Sequence, residues 1–103
     1  MSIRVVARAV ARPETREQLR RALLAVIPPT RAEAGCVRYE LAQNVAAADE
    51  FVMLEEWRSE ADVQAHLQTE HVQELLAQIP QLLAGAPEIR VYRTCDQRVG
   101  RRK

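Results

Sequence analysis

Strand-like and helix-like segments follow one another in the order β-α-β-β-α-β along this 103-residue chain. That order predicts an α+β fold, a ferredoxin-like antiparallel sheet with its helices on one face. Two-residue alternation marks strands over residues 3–11, 36–44, 51–57 and 88–95, and helical spacing of apolar residues fills the two long intervals between them. A further observation extends the prediction beyond one chain. In the third strand Phe51 and Met53 share one parity and Val52 and Leu54 the other, so both sides are apolar while the helices can cover only one. A second copy of the sheet packed face to face would supply the missing layer and give a homodimeric α+β barrel.

The first strand is rich in β-branched and small apolar residues, with Arg4 and Arg8 interspersed. Pro13 then opens a helix in which Leu19, Leu23, Val26 and Ile27 make one apolar stripe. Arg16, Glu17, Arg20 and Arg21 occupy its other face, with Glu17 four residues before Arg21 as a supporting pair. Pro28 and Pro29 break that helix, and Thr30-x-x-Glu33 has the capping-box pattern of a short restarted turn that Gly35 stops. The second and third strands form a hairpin across a loop of residues 45–49. Ser59-x-x-Asp62 caps the next helix, which carries Val63, His66 and Leu67 on one face. Thr69 is a second N-cap, followed by the stripe Val72, Leu75, Leu76 and Ile79, so this helical region bends near residues 67–69. Pro80 and Gly85 close it, and Ile89, Val91 and Arg93 alternate with Arg90, Tyr92 and Thr94 in the fourth strand.

Composition sets the outer limits. With 48% hydrophobic and 28% charged residues, residues 1–96 are predicted to form a single folded domain. The net charge of +1 hides an asymmetry, because Arg98, Arg101, Arg102 and Lys103 hold four of the 15 basic residues and leave 11 against 14 acidic ones in the body. The body is therefore not a polyanion binder, no nucleic-acid partner is expected, and the basic tail over residues 97–103 is predicted to be a disordered, solvated end. No apolar run approaches the ~18 residues of a membrane span, and the start lacks signal-peptide features, which predicts a cytoplasmic protein with no membrane partner. Cys36 and Cys95 are widely separated, with no Cys-x-x-Cys, and read as reduced thiols. Phosphate-cradling glycine loops, nucleophile elbows and Ser/His/Asp sets have no match.

The residues that could carry chemistry cluster by parity. Glu55 and Trp57 share the parity of Phe51 and Met53, and His66 shares its helix face with Val63 and Leu67, so a cavity between sheet and helices could hold all of them. A tryptophan beside a histidine suits a flat aromatic substrate, with the indole as stacking face and the imidazole as proton acceptor. The same residues read structurally as a core anchor and a satisfied core histidine. Glu55 is either a base whose pKa burial raises or a sheet charge paired with an arginine. Tyr39 could point its hydroxyl into the cavity, and Asn44 either orients a ligand or starts the turn after its strand. His71 lies five residues after His66, a spacing that leaves one helix face, so the pair could share a metal only if the segment bends. No third ligand stands at a recognisable interval, and no metal is predicted.

The runs Glu33-x-Gly35-Cys36-x-x-Tyr39, Glu55-x-Trp57 and His66-x-x-Thr69-x-His71 together resemble the antibiotic biosynthesis monooxygenase family, over about residues 5–92. The resemblance implies a homodimeric α+β barrel and an enzyme similar to quinol and anthrone oxygenases that use no metal and no flavin. The residues it carries over are Gly35, Cys36 and Tyr39, Glu55 and Trp57, and His66 with His71. Taken with the parity reading, the expected catalytic residues are His66, Trp57 and Glu55, and the expected substrate contacts are Tyr39, Phe51, Met53, His71 and Asn44. The implied substrates are a small hydroquinone, phenol or anthrone together with O2, and the implied product is a quinone. Heme-degrading relatives use an asparagine and a histidine where Ala7 and Leu76 stand here, which disfavours that activity. Relatives that isomerise a phosphorylated signalling sugar bear nearly the same histidine run, and their reaction would need an anion-binding group such as Arg38 or Arg90. A non-catalytic dimeric binding module for a hydrophobic small molecule is the third reading.

Overall fold

A computed structural model describes residues 2–95. The predicted basic tail lies outside the described residues. Strands β1 (Ile3–Val10), β2 (Cys36–Asn44), β3 (Ala47–Trp57) and β4 (Glu88–Arg93) form one sheet in the order β2-β3-β1-β4, every neighbouring pair antiparallel. Ile3, Val5, Phe51, Met53 and Trp57 are buried on the side that the helices cover, and Leu19, Leu23, Val63 and Leu82 close over them. The fold is the ferredoxin-like α+β arrangement that the sequence predicts.

The other face of the sheet is a grid of ion pairs between apolar residues. Arg4 meets Glu56 at 3.5 Å and Arg8 meets Glu50 at 2.8 Å, while Leu54 and Tyr92 remain exposed among them. The expected second parity of apolar residues is therefore present but interleaved with opposite charges, each exposed pair contributing about 1 kcal/mol or less. The long hairpin differs from expectation at its tip. The loop predicted for residues 45–49 shrinks to a turn at Val45 and Ala46, because β3 begins at Ala47 and Asn44 Oδ1 accepts the Ala46 N–H at 2.7 Å. A register shift between Cys36 and Arg38 also alters β2. The bulge leaves Val37 half exposed and sets Cys36 opposite Trp57 and Tyr39 opposite Glu55, so the strict Val37–Tyr39 alternation fails while Tyr39 still turns inward.

Pro13 begins a short 3₁₀ turn (Pro13–Thr15) that leads into α1 (Arg16–Ala25). Glu17 pairs with Arg20 at 3.3 Å, three residues on, rather than with Arg21. Pro28 and Pro29 do interrupt the helix, but they sit in the first turn of α2 (Ile27–Arg31), where a missing N–H costs nothing. Thr30 is inside that helix, so the capping box expected from Thr30 and Glu33 does not form and the Glu33 side chain is released for another purpose. Helix α3 (Glu60–Leu67) starts at Ser59, whose hydroxyl accepts the Asp62 N–H at 3.2 Å. Helix α4 (Glu70–Leu82) starts at Thr69 in the same way and runs through Pro80 for one more turn. The Arg12 guanidinium donates to the Gln81 carbonyl at 2.8 Å and Thr15 donates to the Leu82 carbonyl at 2.7 Å, satisfying the end that the proline weakens. Among the described residues no helix is long and apolar enough to cross a membrane.

Gly35 is fixed by proximity rather than by dihedral angle. A Cβ there would collide with Cβ and Cγ of Asp62, the residue that Ser59 caps, while the Gly35 carbonyl holds Arg58 N–H at 3.0 Å. Gly35→Ala is expected to cost about 1–3 kcal/mol, the range for forced overpacking, and to loosen the start of α3. Urea denaturation measures this, and an unchanged midpoint would show that the loop before β2 moves freely away from α3.

Candidate functional site

The break between α3 and α4 builds the site. Two residues, Gln68 and Thr69, separate α3 from α4, and the redirected chain brings His66 and His71 to one carboxylate that comes from the loop before β2. His66 Nδ1 lies 2.9 Å and His71 Nε2 2.7 Å from Oε2 of Glu33. A carboxylate only accepts, so both imidazoles donate to it. Thr69 confirms the direction for His71: its hydroxyl proton goes to the His66 carbonyl at 2.7 Å, which leaves Thr69 Oγ1 an acceptor for His71 Nε2–H at 3.2 Å. With Nδ1 donating to Glu33, the unprotonated nitrogen of a neutral His66 is Nε2.

The aromatic neighbours hold His66 in place. The Trp57 ring lies 4.6 Å from the imidazole at a 41° tilt, and the Tyr39 ring lies 5.5 Å away in an edge-on contact. Burial lowers the pKa of His66, and the hydrogen bond to Glu33 acts in the opposite sense, so the neutral, proton-accepting form is favoured. Burial also pushes the Tyr39 phenol above its ordinary value, with the Glu55 carboxylate adding to the shift.

Beside this cluster opens a cavity of about 110 Å³ between the sheet and α4, walled by Phe51, Met53, Leu75 and Ile79. It is of the same order as the ~150 Å³ apolar cavities that accept a benzene ring. Arg8, Tyr39, Glu55 and His66 are the polar residues of an otherwise apolar lining. Leu67, Leu76 and Ile89 at its rim are partly exposed, which gives it an outlet to solvent. Glu55 is 8% exposed, accepts the Trp57 indole N–H at 2.8 Å, and is raised by burial from 4.5 to about 7 despite that bond.

A raised carboxyl binds its proton more tightly in the folded than in the unfolded state, so its contribution to stability is complete below about pH 4.5 and is lost as pH rises through about 7. The loss is on the order of 3 kcal/mol. Wild-type protein is expected to melt at a lower temperature at pH 8 than at pH 5.5, and Glu55→Gln to flatten that difference. Equal slopes in the two proteins would place the titration elsewhere.

Five of the residues expected at a site reach the cavity wall: Tyr39, Phe51, Met53, Glu55 and His66. Trp57 does not, being fully buried behind His66 with its N–H already given to Glu55, so it supports the cavity rather than offering a stacking face or a free donor to a ligand. His71 stands behind His66 on Glu33 and Thr69. Asn44 lies at the hairpin tip, hydrogen-bonded to Glu50 at 3.2 Å and to the turn, and takes no part in the cavity; this corrects its expected role as a ligand contact. Arg38 and Arg90, the candidate anion holders, lie on the opposite face of the sheet, opposite Glu56 and Val6 in register. Glu33 is the residue that sequence reasoning left without chemistry. It stood at the head of the Glu-x-Gly-Cys run, and the bend at residues 67–69 was the signal that a third group could meet both histidines.

With the geometry in place, comparison with known proteins decides the family. The family model described as antibiotic biosynthesis monooxygenase matches residues 2–78. The chain belongs to the antibiotic biosynthesis monooxygenase family. It is 36% identical to "Putative monooxygenase Rv0793" of Mycobacterium tuberculosis over 92% of this chain and 93% of that protein. The solved structure of Rv0793 superposes with a TM-score of 0.90, covering 94% of this chain and 98% of that one. A similar Bacillus subtilis protein, "Putative monooxygenase YcnE", is 33% identical over 76% of this chain and 82% of its own length. The uncharacterized protein sll1783 of Synechocystis is 29% identical over 82% of this chain, which spans 58% of that relative. These likenesses support a monooxygenase-like function and the ferredoxin-like fold.

Proposed function

We propose that this member of the family is a cofactor-independent monooxygenase that oxidises a small aromatic hydroquinone, phenol or anthrone with O2 to a quinone. The observation that carries the reading is His66: Glu33 holds Nδ1, the cavity meets the ring, and Nε2 is left to accept a proton. Such a carboxylate-oriented imidazole is a general base of the kind that contributes about 10²–10⁴-fold to a rate.

In the proposed sequence, Nε2 takes the proton of a bound phenol. The phenolate passes one electron to O2, forming superoxide and a phenoxyl radical. The two radicals combine at a ring carbon, creating a C–O bond and a peroxide. His66 returns its proton to that peroxide, making a hydroperoxide; loss of the C–H proton from the same carbon then breaks the O–O bond, one oxygen remains as the new quinone carbonyl, and the other departs as hydroxide that takes up the C–H proton to become water. The protein binds the ring between Phe51, Met53 and the α4 stripe, keeps water away from the radical pair, and offers Glu55 as a second proton acceptor near neutral pH. The reading includes a homodimer, in which the exposed Leu54 and Tyr92 of the open sheet face meet a second copy. Sedimentation is expected to give twice the chain mass.

The isomerase alternative loses Arg38 and Arg90 as anion holders, since both are on the opposite face of the sheet, and the arginine in the cavity lining, Arg8, is engaged by Glu50 at 2.8 Å. O2 uptake by purified protein, verified free of metal and flavin, against hydroquinones and anthrones tests the proposal. Quinone formation coupled to uptake supports it; a panel with no uptake removes it in favour of isomerisation or simple binding.

A further inference from the structure

Two of the three groups at the α3–α4 break are imidazoles, and the third is a carboxylate with no arginine or lysine partner among the described residues. The other partly buried glutamates differ: Glu50 and Glu56 each pair with an arginine. Glu33 thus meets two imidazole nitrogens with one carboxylate oxygen, all three side chains largely withdrawn from water, with 16%, 5% and 21% exposure for Glu33, His66 and His71. Such an arrangement attracts a cation with nitrogen and oxygen preference.

We propose that Glu33, His66 and His71 form a binding site for a divalent cation of the zinc class, and that its occupancy switches off the His66 base. The ligand atoms Oε2, Nδ1 and Nε2 all lie within 4.8 Å of one another. Donors about 2.1 Å from a common zinc ion stand about 3–3.5 Å apart in a tetrahedral set, so the present separations of 2.9 and 2.7 Å from Oε2 need small outward shifts to admit one. His71 is the most exposed of the three and marks the side from which the ion and a water ligand would enter.

The chemical consequence follows from tautomers. A metal on Nδ1 of His66 displaces the proton now donated to Glu33, and in the neutral imidazole that proton resides on Nε2. The nitrogen left to the cavity then changes from acceptor to donor. His71 changes likewise, with Nε2 on the ion and the proton on Nδ1. The metal site stands on geometry alone, whereas the switch rests on the proposed role of His66 as base.

The test is titration of chelator-treated full-length protein with ZnCl₂ by calorimetry, and with Co²⁺ by its visible absorption. One equivalent per chain with half-saturation below ~100 μM is expected, weakened at least 10-fold in Glu33→Gln and in His71→Ala. Melting curves identify any variant that fails to fold, and the more peripheral His71→Ala then decides alone. Half-saturation above ~100 μM, variants that bind as wild type does, or binding lost instead in Cys36→Ser overturns the site. Oxygen uptake in the same samples reads the switch: zinc should suppress it and a chelator restore it. Bound zinc with undiminished uptake overturns the switch, whereas protein with no uptake under any condition removes the base and leaves the binding result to stand by itself.

Discussion

His66→Ala is expected to lower turnover of a hydroquinone or anthrone by about 10²-fold or more, the loss typical of a removed general base. Two polar groups remain at the cavity to replace it in part: Tyr39 is a phenol shifted upward by burial and a poor acceptor at neutral pH, while Glu55, raised to about 7, is the acceptor that sets the residual rate. The substitution also opens space beside Trp57 and Tyr39, which the imidazole contacts in the native protein. Added imidazole should enter that space and restore part of the rate. Steady-state kinetics with and without imidazole make the measurement, and a variant as active as wild type would take His66 out of the mechanism.

Trp57→Ala is expected to cost about 3–5 kcal/mol, the range for truncating a buried tryptophan. Set against a total of about 5–15 kcal/mol for a small protein, that loss brings the variant close to unfolding. Trp57 is 0% exposed, ends β3, and backs both Tyr39 and His66. Its removal also takes the N–H from Glu55, whose carboxylate would lose the one interaction that holds its pKa down. Trp57→Phe keeps a ring without the N–H and should fall between the two in urea denaturation. A loss below about 1 kcal/mol in Trp57→Ala would contradict the anchoring role.

What the chain discloses before folding is local periodicity, and local features were legible. The alternation of Phe51, Met53, Glu55 and Trp57 placed four side chains on the covered face of one strand, and the two caps at Ser59 and Thr69 announced a broken helix. The bulge after Cys36 was not legible, because one inserted residue leaves composition unchanged while it reverses the parity of everything before it. Long-range pairing was not legible either. Glu33 meets partners 33 and 38 residues away, and no spacing rule links a loop carboxylate to histidines on two later helices. The indole N–H of Trp57 looked free for a ligand because its acceptor, two residues back, could equally have turned to an arginine across the sheet. Asn44 was ambiguous between ligand contact and turn former, and the turn took it because β3 starts at Ala47, four residues before the expected strand.

In the proposed reaction the cavity beside the Glu33-oriented imidazole lets an aromatic substrate reduce O2 directly, with one oxygen atom kept. Turnover under ¹⁸O₂ with an anthrone or hydroquinone tests it most directly. One labelled oxygen in the quinone, the other in water, and one O2 consumed per product are expected. Unlabelled quinone accompanied by stoichiometric hydrogen peroxide would contradict it, since that outcome means electrons left the substrate without a C–O bond being made.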